Sequence, residues 1–207
     1  MSMRPTDIPW ESPFATVSPR AMKAPINPCD LPTIDVRELT DYQLRAIIGR
    51  ATREQERRAE REAVTIHFDM DGTLADLYGV PNWLPYLENH DPYPYVNAIP
   101  LLNLSILARK LNALQRQGYR LSIVSWLSKT STAKYDRDVT NAKRKWLAQH
   151  LPSVHWDEVN IVPYGTPKEQ FCSNPADVLF DDEERNRLNW TGKAFDVQNI
   201  LEVLSSL

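Results

Sequence analysis

From Ala63 onward the apolar positions switch repeatedly between two spacings. Val64 to Phe68 and Leu121 to Val124 read as strands, and Val159 to Val162 and Val178 to Phe180 are short apolar runs with the composition of strands buried on both faces. Between the first two, Leu104, Leu107, Leu111 and Leu114 recur at helical spacing in a segment from Leu101 to Gln117, which Gly118 stops. A second helical stretch, Val139 to His150, places Val139, Ala142, Trp146 and Leu147 on one side and ends at Pro152. Ala194 to Val197 has the pattern of a last edge strand. Strands alternating with helices predict an α/β fold with a doubly wound parallel sheet, whose ligands gather beyond the carboxyl ends of the strands.

The first 62 residues read differently. Residues 1–32 hold seven of the sixteen prolines and no sustained periodicity, the signature of an extended segment. Thr40 then fits a helix N-cap, with Gln43 three residues on and Leu39 and Leu44 as a hydrophobic staple. Leu44, Ile47, Ile48 and Ala51 form a short apolar stripe before an almost wholly charged run at 52–62. Helix amphipathicity predicts that this stripe docks on the main domain, the alternative being self-association through residues 40–51. The expected organisation is an appendage at 1–62, a main domain at 63–207, and a small insert within it at 77–98.

Composition narrows the function classes. Of 207 residues, 42% are hydrophobic and 25% charged, enough for a buried core. The net charge of −3 argues against a nucleic-acid groove. Lys143-Arg144-Lys145 is the one basic triplet, and its expected place is a solvated helix face. The two cysteines, Cys29 and Cys172, make no disulfide framework, and no apolar run approaches a membrane span. No signal pattern opens the chain, so a soluble cytoplasmic protein is expected.

The candidate chemistry centres on Ile66-His67-Phe68-Asp69-Met70-Asp71-Gly72-Thr73-Leu74. Two carboxylates at a strand end repel unless a cation lies between them or one holds a proton. The residues at the other strand ends are Ser125, the segment up to Lys168, and Asp181-Asp182. Such a set suits a phosphate monoester, with Mg²⁺ held by Asp69 and an acid of the 181–182 pair, and a point charge from Lys168. The Ser125 hydroxyl and the turn amides around Met70 and Gly72 are expected to donate to phosphate oxygens. One carboxylate can attack phosphorus while Asp71 protonates the leaving oxygen. No glycine-rich nucleotide loop is present.

In these residues the chain resembles the haloacid dehalogenase-like (HAD) hydrolase superfamily over about residues 64–200. Its four motifs correspond to Asp69–Thr73, Ser125 in Ile-Val-Ser-Trp, Lys168, and Asp181-Asp182. The resemblance implies a Rossmann-like core, Asp69 as nucleophile, and Asp71 as general acid/base. Mg²⁺ would be bound by Asp69, the carbonyl of Asp71, and one or both of Asp181 and Asp182. Phosphate contacts would fall to Met70, Gly72, Thr73, Ser125, Trp126 and Lys168. A closer similarity is to the 5′(3′)-deoxyribonucleotidases, carried by Val96 to Pro100, Lys143 to Trp146, and Leu179 to Asn186. The chain departs at the second motif, where Ser125-Trp126-Leu127 stands in place of Thr-Ser-Pro.

The insert holds Tyr78, Trp83, Tyr86, Tyr93 and Tyr95. Tyr78, Trp83 and Tyr86 are candidate contacts to a substrate base, weighed against simple closure of the insert. His67 reads as structural, and His90, His150 and His155 lack ligand spacing. The expected partner is a small phosphorylated molecule, foremost a nucleotide. The alternatives are a polynucleotide 3′-phosphatase, or a non-catalytic binding or scaffold protein on the same fold.

Overall fold

A computed structural model describes residues 39–62 and 64–207. The proline-rich segment and Cys29 lie outside the described residues. Helix α1, Asp41–Glu62, starts where the sequence places it: the Thr40 amide donates to Gln43 Oε1 (3.0 Å) and the Gln43 amide to Thr40 Oγ1 (3.3 Å). Ile47 and Ile48 of its apolar stripe are exposed.

The main sheet has five parallel strands: β1 (Thr65–Phe68), β4 (Arg120–Trp126), β5 (Glu158–Val162), β6 (Val178–Phe180) and β7 (Lys193–Phe195). Their order is β5-β4-β1-β6-β7, so β1 lies at the centre and every neighbouring pair is parallel. This is the doubly wound, Rossmann-like α/β sheet that the alternating pattern predicts. Central strands need apolar residues on both faces, and β1, β6 and nearly all of β4 are buried. Phe68 stacks on Phe180 at 5.1 Å, and both are fully buried. Burying each such side chain contributes roughly 1.5–3 kcal/mol.

Helices α4 (Leu104–Arg116), α5 (Ala133–His150), α6 (Glu184–Asn189) and α7 (Ile200–Ser206) complete the core domain. Leu107, Leu111 and Leu114 of α4 join Trp146 and Leu147 of α5 in the core. Two boundaries differ from expectation. Helix α4 starts at Leu104 because the Asn103 side chain caps it, accepting from the Ile106 amide at 3.2 Å. Helix α5 starts at Ala133, six residues before Val139, because Thr132 caps the Tyr135 amide. Its first turns are mostly polar, so no apolar stripe announced them. The last strand stops at Phe195, short of the expected Val197, which instead opens a 3-10 turn.

The insert is a small substructure of β2 (Ala75–Asp76), α2 (Trp83–Glu88), α3 (Tyr93–Asn97) and β3 (Ile99–Pro100), with β2 and β3 antiparallel. At the sheet's opposite end, buried Asp177 ties β6 to β1 by accepting from the Thr65 amide at 2.7 Å and from the Ser173 and Asn174 amides at 2.9 Å each. Burial alone would raise its pKa, but His67 and these amides hold the carboxyl below the usual range. His67 is buried, edge-on to Trp190 at 5.0 Å, in the structural place expected of it. No helix among the described residues is long and apolar enough to cross a membrane.

Candidate active site

Strand register brings the acids together. Phe68 pairs with Phe180, so the next residues, Asp69 and Asp181, leave adjacent parallel strands side by side. Strands in a sheet lie about 4.8 Å apart, within reach of two carboxylates. Carboxylate oxygens of Asp69, Asp181 and Asp182 lie within 4.8 Å of one another. The expected convergence of the first and fourth motifs is therefore present, across a sequence separation of more than a hundred residues.

The chain after Asp69 turns sharply. Met70 carbonyl oxygen accepts from the amides of Thr73 (3.2 Å), Leu74 (2.9 Å) and Ala75 (2.8 Å). Gly72 sits at φ 77°, and a Cβ there would fall onto the Asp182 carboxylate. Glycine is thus required twice over, for the backbone and for the acid packed against it. Thr73 joins the same contact: the Asp182 amide donates to its Oγ1 at 3.2 Å.

These bonds correct part of the expected phosphate cradle. The Gly72 amide donates to the Ala75 carbonyl at 2.8 Å and is not available to a ligand. Met70 and Thr73 are buried, and neither lines the cavity described below. In the turn, the Met70 carbonyl gathers three amides, and Thr73 Oγ1 accepts from the Asp182 amide. The Asp71 carboxylate stands apart from the metal-capable trio, because it is engaged elsewhere. Its Oδ2 accepts from Lys143 Nζ at 2.7 Å.

Lys143 overturns the expectation of a solvated basic triplet. It is 1% exposed, and its ammonium also donates to Ser125 Oγ (2.8 Å) and the Trp126 carbonyl (2.7 Å). The Tyr95 ring lies 5.2 Å below it. A signal for it existed: Lys143 falls four residues after Val139 and three before Trp146, on the buried stripe of α5. Lys168 is buried too, and its ammonium bridges Asp69 Oδ1 (2.8 Å) and Asp181 Oδ2 (2.7 Å). Asp181 Oδ1 is further held by the Glu183 amide (2.9 Å) and Asn186 Nδ2 (3.2 Å). Arg187 Nη1 donates to the carbonyls of both Asp181 and Asp182, at 2.7 Å each, and so fixes the turn.

Four carboxylates here face two ammonium groups, and the imbalance is visible at Asp71, Asp181, Asp182 and Lys168. Burial, followed by the charges of Asp69 and Asp181, pushes Asp182 up to about 7. Burial also raises Asp71, with Asp69 adding to it and Lys143 opposing. Asp181 is raised by burial and Asp69 against the pull of Lys168. Burial would lower Lys168, yet Asp69 and Asp181 together raise it. An all-oxygen donor set with surplus negative charge has the chemistry of a hard divalent-cation site.

A cavity of about 440 Å³ opens onto these acids, lined also by Trp126 and Lys168. The insert supplies Leu77, Tyr78, Trp83, Leu84, Leu87, Glu88 and Tyr95 to its wall. Tyr78 and Trp83, two of the three aromatics expected at the substrate, do line it, meeting edge-on at 5.1 Å. Tyr86 does not: it stacks on Tyr93 at 4.7 Å and closes the insert. Tyr95 takes its place in the wall.

No family model matches the chain, and no curated protein matches it. Among solved structures, the chain is similar to a D,D-heptose 1,7-bisphosphate phosphatase from Burkholderia Thailandensis, at 12% identity and a TM-score of 0.43, over 70% of this chain and 99% of that one. It is also similar to the D,D-heptose 1,7-bisphosphate phosphatase from B. bronchiseptica, complexed with magnesium and phosphate, at 12% identity and a TM-score of 0.44, over 69% and 98% of the two chains.

Proposed function

We propose that the protein is a Mg²⁺-dependent phosphomonoesterase of HAD type, acting through a phosphoryl group carried on Asp69. The observation that carries this reading is the cluster of Asp69, Asp181 and Asp182, bridged by Lys168 and open to a cavity. Those three acids would hold the Mg²⁺, which, when bound, supplies positive charge to the phosphoryl oxygens.

The chain's own residues then divide the work. Lys168 takes Oδ1 of Asp69, which leaves the other carboxylate oxygen to attack phosphorus. As that bond forms, the bond from phosphorus to the ester oxygen breaks. Asp71, whose hold on a proton burial strengthens, gives its proton to the departing oxygen. Asp71 next accepts a proton from water, whose oxygen attacks phosphorus and frees Asp69 and inorganic phosphate. Lys143 holds Asp71 and Ser125 in one geometry through both halves.

The substrate we infer is a small phosphate monoester, foremost a nucleotide. A cavity of about 440 Å³ suits a ligand of that size, and Tyr78, Trp83 and Tyr95 offer it aromatic surface. The test is phosphate release from a panel of nucleotides and sugar phosphates, with and without Mg²⁺, for wild type and Asp69→Asn. Mg²⁺-dependent release by wild type alone is the expected result; equal release by both proteins rules out the covalent route.

A further inference from the structure

Trp126 ends β4, and its indole touches the loop before Lys168, two cationic side chains and the Tyr164 ring. Its Nε1 donates to the Thr166 carbonyl at 2.8 Å, two residues before Lys168. The Lys168 ammonium lies 5.0 Å from the ring centroid while it bonds Asp69 and Asp181. Arg185 Cζ lies 5.3 Å from the same centroid, and the Tyr164 ring 5.1 Å away at a tilt of 57°. A cation over an aromatic face is attracted by the ring quadrupole, most strongly where water is excluded. Lys168 is only 2% exposed, so the ring replaces part of its lost hydration.

We propose that the Trp126 side chain is a positioning residue for Lys168, holding its ammonium between Asp69 and Asp181 from one side and sealing it from water. The indole fixes the lysine at both ends, through its face at the ammonium and through Nε1 at the loop that precedes it. Its kinetic consequence rests on the phosphomonoesterase reading; its shielding of Lys168 does not.

The test compares wild type, Trp126→Phe and Trp126→Leu. Phenylalanine keeps a ring face and loses only the Thr166 bond; leucine loses both. The first readout is the rate at which acetic anhydride acylates Lys168 in the folded protein, followed by peptide mass spectrometry. The second is kcat and KM on the best ester of the panel. In Trp126→Leu, acylation should rise about tenfold or more and kcat fall on the order of 10- to 100-fold, the penalty of a misplaced group. KM should change little, and Trp126→Phe should recover most of both. Should the leucine variant fail to fold, as its Tm will tell, Trp126→Met fills the volume without a ring and carries the same comparison. Unchanged acylation of Lys168 without the ring overturns the proposal, as does faster acylation with full turnover. A wild type that hydrolyses no ester sinks the phosphatase reading, and the acylation rates alone then decide the role of Trp126.

Discussion

Lys143 Nζ lies 2.7 Å from Asp71 Oδ2, a pairing that spans 72 residues of chain and is buried on the lysine side. The lysine does not ride on a helix surface; it reaches through the core from α5 to the acid that the proposed chemistry needs as proton donor. Lys143→Met should lower kcat by roughly 10²-fold, the usual worth of an acid–base group. It should also move the alkaline limb of the pH–rate profile upward. Asp71 already sits above the usual carboxylate range through burial, and Lys143 is the charge opposing that rise. Without it the acid holds its proton to higher pH. A downward shift, or none, contradicts the assigned role.

Gly72→Ala should cost both stability and cation binding. The residue lies at φ 77°, where a side chain is strained by about 1–2 kcal/mol. The added Cβ also displaces Asp182 from its place beside Asp69. Thermal unfolding with and without Mg²⁺ checks both effects: a lower Tm, and a smaller rise on adding the ion.

Cation binding itself should depend on pH near neutrality. Asp182 is raised to about 7 by burial and its two acidic neighbours, so below that pH the ion must displace a proton. The apparent Mg²⁺ affinity should weaken by up to about tenfold per pH unit below 7 and level off above it. Isothermal titration at pH 6, 7 and 8 measures this. Equal affinity at all three would remove Asp182 from the site.

Asp177 makes a prediction about the fold rather than the chemistry. Its folded pKa is lowered, so its stabilising contribution is present above the unfolded value of about 3.9 and is lost as pH falls through the lower folded value. Asp177→Asn, which weakens the anionic acceptor of three amides, should destabilise by about 1–3 kcal/mol at pH 7. Denaturant melts should show the gap from wild type narrowing below pH 4. A gap that widens there would contradict the sign.

The sheet and the acids were legible because two short-range signals coincide. Apolar runs mark β1, β4 and β6, and tightly spaced polar residues follow them at Asp69, Ser125 and Asp181. Once β1 is central, register alone sets Asp69 beside Asp181. Lys143 was hidden by its neighbours, since a run of three cations reads as surface although its helical spacing pointed inward. The turn amides were illegible for another reason: spacing cannot tell that Gly72 spends its donor on Ala75. Among the insert aromatics, the packing of α2 against α3 decides that Tyr95 faces the cavity while Tyr86 pairs with Tyr93. That choice depends on tertiary contacts, which no local pattern encodes.

In the proposed mechanism Asp69 carries the phosphoryl group between the two half-reactions. Rapid acid quench during turnover, borohydride reduction and peptide mass spectrometry read this directly, because an acyl phosphate is reduced to the alcohol and a free carboxylate is not. Reduction at residue 69, and only in the presence of both Mg²⁺ and substrate, is the predicted result. Steady phosphate release with an unmodified Asp69, at every quench time, contradicts it.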